Sequence, residues 1–202
     1  MPHVPAAERR RQIIEAATRV ISREGVAKAT TRRIGEEARA NIGTLHYTFN
    51  GKEDLFEAVF AYCWDVTSEI VEDAVDATSS AVDAASEILG RYGELAIADP
   101  DLIAAQYQLL NWSMTRDGGL EQADSTYRQQ DELIMQALRR GRSEVDLGVD
   151  EEGLARLIVA LLDGICLRFL VGRSADQCRA DLGVATQLVR AAFSPEVSAP
   201  TS

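Results

Sequence analysis

The stretch Thr30–Leu55, TTRRIGEEARANIGTLHYTFNGKEDL, decides how the whole chain is read. It has the pattern of two short helices joined by a tight turn and followed at once by the start of a third. Thr30 is placed to be an N-cap, because its hydroxyl can accept from an amide that the first helical turn leaves unpaired. A helix over 31–38 turns Ile34 and Ala38 inward, four residues apart, and Arg32 and Arg33 outward. The turn falls at Arg39, Ala40 and Asn41. A second helix over 42–48 puts Leu45 and Phe49 on one side and Gly43, Thr44, His46 and Tyr47 on the other. Small and hydrogen-bonding groups are what a helix needs to enter a major groove, where base edges and phosphates must be reached without apolar bulk.

A Thr-capped helix, a turn, a Gly-Thr-Leu helix with an aromatic residue and a following Lys-Glu stand here in that order. In this the stretch resembles the helix-turn-helix of the TetR family of bacterial transcriptional regulators, over about Ile13 to Leu55. Three positions depart from the family pattern. Arg39 stands where the family usually has Gly, and a left-handed conformation there costs Arg what Gly avoids. Arg33 replaces an acidic residue three positions after the cap, so no reciprocal capping box forms. His46 stands where the family more often has Tyr, and its base preference does not carry over.

With 202 residues and 46% apolar side chains, the chain can bury a substantial core. Only Pro100 of the five prolines lies between the first few and last few residues, so long helices are unobstructed. Alternating β-branched runs are missing, and the chain reads as all-α. The net charge of −11 argues against nucleic acid until its distribution is considered. Residues 1–55 carry a balance of +3 and the remainder −14. Only the first part can approach phosphates, because counterion release requires local positive charge. Cys63, Cys166 and Cys178 are far apart and odd in number, which suggests a reducing cytoplasm, not a disulfide framework. The apolar run near 157–162 is broken by Asp163, far short of a membrane span, and residues 1–11 lack the apolar core of a signal peptide.

Taken in order, a first helix over 6–24 carries Ile13, Ala16, Ala17, Val20 and Ile21 on one stripe, and Gly25 ends it as an αL cap with Val26 folded back. Its start, Glu8-Arg9-Arg10-Arg11, is either a solvated helix end or a phosphate contact. A long helix from Lys52 to about Thr78 carries Leu55, Phe56, Val59, Phe60, Cys63, Val66, Ile70 and Val71 at helical spacing. Its first turn belongs to the DNA-binding unit and the rest leaves it, which makes it the expected mechanical link. The acidic group Glu69, Glu72, Asp73 and Asp76 reads as a solvated face. Further helices are expected over 81–97, 101–115 and 120 to about 144, broken at Asp99-Pro100 and Asp117-Gly118-Gly119. Another opens on Asp150, Glu151 and Glu152, and a last one covers about 175–193.

The expected fold is therefore all-α, with about nine helices. A three-helix helix-turn-helix domain over 1–51 precedes a helical regulatory domain, ligand-binding and dimerising, over 52–194, with a disordered tail over 195–202. Thr31, Tyr47, Thr48 and Lys52 fit phosphate anchors, and Arg32, Asn41, Gly43, Thr44 and His46 fit base or groove contacts. The alternative for Tyr47 is packing against a neighbouring helix. The helix after 150 is too apolar for one stripe, which calls for a partner surface, and the resemblance implies a four-helix dimer interface. Leu157, Leu161, Ile165 and Phe169, with Leu182 and Leu188, are its candidates. A twofold dimer would read a palindromic operator in double-stranded DNA.

A pocket for an unidentified small-molecule effector, also implied by the resemblance, would combine aromatic walls with a few polar groups. Trp64, Tyr107, Trp112 and Phe169 are the aromatic candidates, and Gln108, Asn111, Met114 and Asp163 complete the set. Core packing is the competing reading for each. With only His3 and His46 present, no triad or metal cluster is expected, nor any cofactor or enzymatic activity. Two other classes stay open: a ligand-independent DNA-binding regulator, and a helical enzyme or adaptor without DNA binding.

Overall fold

Each described segment of regular structure is an α-helix, and the computed structural model describes residues 5–76, 80–140 and 150–192. His3, the side chain of Asp76, the stretch predicted helical beyond Arg140, Phe193 and the tail over 195–202 lie outside them. The nine helices among the described residues are α1 (Ala6–Glu24), α2 (Thr31–Ala38), α3 (Ile42–Thr48), α4 (Lys52–Asp76), α5 (Ala81–Ala98), α6 (Pro100–Met114), α7 (Gly119–Arg140), α8 (Glu151–Gly172) and α9 (Ala175–Ala192). Contacts divide the chain into two compact units. One is Met1–Val66 with Asp99–Ala123, the other Thr67–Ala98 with Asp124–Ser202, so α4 and α7 contribute to both.

In the first unit α1 packs against both α2 and α6. Its predicted stripe, Ile13, Ala16, Ala17, Val20 and Ile21, is buried throughout. Polar bonds fix α6 to the end of α1: Ser22 Oγ donates to Asp101 Oδ1 at 2.7 Å, and Gln108 Nε2 donates to the Ser22 carbonyl at 3.0 Å. Asp99 and Pro100 do more than break the chain. Asp99 Oδ1 accepts from the Leu102 amide at 3.1 Å and Pro100 takes the first helical position, where its missing N–H costs nothing. Beneath them Phe56 meets Trp112 edge to face, centroids 5.2 Å apart. Cys63 is fully buried nearby, and burial pushes its thiol up to about 12.

Of two turns, Gly25 differs from expectation in conformation and Arg39 agrees with it. Gly25 has the positive φ of 85° expected of a cap, but its ψ of 156° is extended, not αL. That region is open essentially to Gly alone, and it sends the chain away from α1 while Val26 tucks in. Arg39 is left-handed, with φ 50° and ψ 38°, and the Ala40 amide closes the turn onto the Gly35 carbonyl at 2.9 Å. A Cβ at Gly35 would lie 3.1 Å from the Ala40 carbonyl oxygen, a tight contact that the turn would have to relax by a few tenths of an ångström to admit.

In the second unit α5 and α9 run antiparallel, as their ion pairs show. Arg179 joins Glu94 near one end at 2.7 Å, and Arg190 joins Asp83 near the other at 3.0 Å. Between these pairs a Cβ on Gly93 would lie 2.1 Å from Leu182 Cδ1, so the buried Leu182 side chain would have to shift to admit one. Helix α8 packs on both, burying Leu154, Ile158, Leu162, Ile165, Cys166 and Phe169.

Arg39→Gly removes the left-handed penalty on a side chain and is expected to stabilise the chain by about 0.5–1 kcal/mol. Gly119→Ala should do the opposite, since its Cβ would fall 1.7 Å from the Ser113 carbonyl oxygen. A thermal melt checks both: the midpoint rises for the first variant and drops by several degrees for the second.

Candidate nucleic-acid interface

The helix-turn-helix is held from its own ends. Thr30 Oγ1 accepts from the Arg33 amide at 3.2 Å, the predicted cap of α2. Asn41 caps α3, its Oδ1 accepting from the Thr44 amide at 2.7 Å and from the Thr44 hydroxyl at 2.9 Å. Leu45 and Phe49 are buried, which fixes the opposite face of α3 outward. Arg33, expected to face outward, is half-buried because it pairs with Glu24 at 2.7 Å and Glu37 at 3.3 Å. Arg19, at 3.2 Å, also binds Glu37, and its hydrogen bond holds that carboxyl below the ordinary range. A lowered folded value means the brace between α1 and α2 is complete above the ordinary carboxylate pKa. It is lost as pH falls through the folded value.

The outward face of α3 carries Ile42, Gly43, His46 and Tyr47, all exposed. Tyr47 is 91% exposed, so the alternative of packing against a neighbouring helix is ruled out. Thr48 is half-buried. Its only hydroxyl hydrogen goes to the Thr44 carbonyl at 2.7 Å, leaving it acceptor capacity in this state. The Thr44 hydroxyl is likewise engaged, donating to Asn41 Oδ1. Arg32 is exposed at the start of α2 and pairs with Glu36 at 3.2 Å. Such an exposed pair is weak and opens at little cost to a stronger anion. Thr31 is half-buried at the first helical position.

Lys52 reaches inward. Its Nζ donates to the Val26 carbonyl at 3.1 Å and lies 5.0 Å from the Phe56 ring centroid, tying the start of α4 to the loop after α1. The basic run at the start of α1 is partly engaged too. Arg11 pairs with Glu8 and Glu15, while the Arg10 guanidinium lies 4.4 Å over the Phe49 ring and donates to the Thr48 carbonyl at 3.4 Å. A cation at the carboxyl end of α3 is also where the helix dipole favours one. Sequence reasoning did not single out Ile42, although it sits four residues before His46 on the same side of the helix.

The candidate pocket residues divide between the two units. Trp64, Tyr107, Gln108, Asn111, Trp112 and Met114 belong to the first, Asp163 and Phe169 to the second. Gln108 is engaged by the Ser22 carbonyl and Trp112 by Phe56, with the Arg116 guanidinium 4.5 Å over the indole. Asn111 is exposed, its amide donating to the Tyr107 carbonyl at 3.0 Å. Tyr127 of α7 donates to Asp163 at 3.0 Å, and desolvation, then the carboxylate charge, pushes its phenol up to about 12. Phe169 lines a cavity of about 110 Å3 with Cys178 and Asp181. A larger open groove of about 710 Å3 runs along α5 and α9, past Gly90, Arg91 and Gly183. Gln106, which sequence reasoning passed over, is buried with its side-chain carbonyl lacking a donor among the described residues.

Among the proposed interface residues, Leu157 and Leu188 are exposed and Leu161 is half-buried. Ile165, Phe169 and Leu182 are turned into the chain's own core. The exposed apolar row is instead Leu157, Leu167 and Val171 on α8, with Val184 and Leu188 on α9. Among the described residues no three His, Cys, Asp or Glu side chains are grouped to hold a metal ion, and no helix is long and apolar enough to cross a membrane.

A capped helix-turn-helix joined to a larger body, helical among the described residues, is the build of a DNA-binding transcriptional regulator. The sequence profile described as "Bacterial regulatory proteins, tetR family" matches residues 13–59, and "Tetracyclin repressor-like, C-terminal domain" matches 73–195. The chain belongs to the TetR family. It is 24% identical over 171 residues to the nicotine-responsive transcriptional repressor HdnoR of Paenarthrobacter nicotinovorans, covering 85% of this chain and 88% of that protein. It is 26% identical over 163 residues to the transcriptional regulator BetI 2 of Chromohalobacter salexigens, covering 79% and 76% of the two chains. A solved TetR transcription regulator from Haloarcula marismortui superposes with a TM-score of 0.75 at 19% identity, over 92% of this chain and 98% of that one.

Three variants separate the roles on this surface. Tyr47→Ala should weaken binding to operator and random duplex alike without moving the melting temperature, since the ring supports nothing in the fold. Lys52→Ala should lower both affinity and melting temperature. Arg32→Ala should relax preference at one base position, by about tenfold or more. Fluorescence anisotropy with labelled duplexes, beside a thermal melt, reads all three.

Proposed function

We propose that the chain is a cytoplasmic repressor that binds a palindromic operator as a homodimer and leaves it when a small organic molecule binds. The observation that carries this reading is the outward face of α3. Its apolar side is fully used in the core, and a tyrosine 91% exposed stands beside exposed histidine and glycine. An aromatic ring held in water on a short, capped helix is suited to a surface that it meets only on binding. The local excess of positive charge in residues 1–55 supports the same surface being DNA.

Dimerisation is supported by the row Leu157, Leu167, Val171, Val184 and Leu188. Exposed Ala160 and Gly164 lie in the same row of α8, and nothing comes within 4 Å of a Cβ built on Gly164. Small residues between large ones let a second pair of helices approach closely, in the manner of knobs entering holes. The helix-turn-helix domain over 1–51 then reads each half-site, and the remaining helices over 52–194 hold the copies together and take the effector. HdnoR, by its name, responds to nicotine, so small molecules that join a heteroaromatic ring to an aliphatic amine are the first compounds to screen here. Coupled sites of this kind typically differ by about 1–3 kcal/mol between states, and the coupling is reciprocal.

Leu167→Glu places a charge in the exposed row without touching the chain's core. The variant is expected to fold, to run as a monomer in light scattering where the parent runs as a dimer, and to lose most operator affinity. A dimeric Leu167→Glu protein with full affinity would remove this interface.

A further inference from the structure

We propose that Ile42 reads the 5-methyl group of one thymine in each operator half-site. The inference rests on the operator-binding reading above and assigns it a base. Ile42 is the first residue of α3 and is 47% exposed, whereas Leu45 and Phe49, the other apolar residues of the segment, are 2% and 4% exposed. It shares the outward side with His46, one turn on, and its neighbour Gly43 has no side chain to shield it.

The polar groups around Ile42 narrow what it can meet. The Asn41 side-chain oxygen is turned to the Thr44 amide and hydroxyl, at 2.7 Å and 2.9 Å. That leaves the branched aliphatic chain at the leading end of the helix. Reading helices meet base edges with their N-terminal residues. In the major groove the thymine methyl is the one apolar feature a base pair presents, so contact with it is the favourable outcome for an exposed isoleucine. Scattered exposed apolar residues are ordinary on protein surfaces. This one differs in standing at the leading end of α3, one turn before the exposed His46.

The test uses the full-length protein. Duplexes that it retains from a random pool are sequenced, and the consensus duplex is resynthesised with each thymine in turn replaced by deoxyuridine, which lacks only the 5-methyl group. One thymine per half-site should be sensitive, with affinity falling about fourfold for one half-site and about sixteenfold for both, as loss of a buried methyl implies. Ile42→Ala, a change that raises helix propensity, should keep binding the duplex and lose that sensitivity. Tolerance of deoxyuridine at every position by the parent protein overturns the proposal, and so does an unchanged sensitivity in Ile42→Ala. If the pool yields no retained duplex, the operator-binding reading itself fails, an outcome distinct from both.

Discussion

A helix of seven residues has no stability of its own in water, since nucleation alone outweighs the few hydrogen bonds it closes. Helix α3 therefore exists because Leu45 and Phe49 are buried and Asn41 satisfies an amide at its start. The dependence runs outward from there. Burial of those two side chains fixes which face of α3 is free, and the left-handed Arg39 fixes how α3 leaves α2. Any movement of α2, against which α3 packs, would move the reading face with it.

Charge in this unit is organised as much for the protein as for a polyanion. Arg19, Arg33, Arg11 and Arg32 each pair with glutamates, and Arg10 and Lys52 are bound to backbone carbonyls and aromatic rings. The local balance of +3 already counts those glutamates, so pairing decides which cations stand ready for phosphate and leaves the balance unchanged. Exposed pairs such as Arg32 with Glu36 exchange one anion for another at small cost. Half-buried ones, Arg33 with Glu24 and Glu37, hold the helices together and are not available for exchange.

The second unit answers a different constraint. Helices α5 and α9 approach each other at Gly93 and Leu182, and α8 fills the remaining face. Once α8 has committed one side to that core, its other side still carries Leu157, Leu167 and Val171. An apolar row left over after the chain's own packing is complete is what a second chain can bury.

The sequence by itself determined the helical class, the bounds of α1, α2 and α3, the capping role of Thr30 and the positive φ of Gly25. Those features depend on neighbours within a few positions: periodicity of Ile13 to Ile21, a hydroxyl before a helix, a glycine after one. It also carried the family, because the 30–55 stretch encodes a local motif. What only the tertiary structure decided was direction. Along α8, leucine, isoleucine and phenylalanine occur nearly all round the helix, so periodicity could not tell Leu167 and Val171 outside from Ile165 and Phe169 inside. The close packing of α5 and α9 makes that choice. The same holds for Arg33, drawn in by Glu24 from a different helix, and for Ile42, left out because Leu45 and Phe49 already occupy the core. Sequence neighbours fix what a segment becomes; which of its sides is used depends on groups far away in the chain.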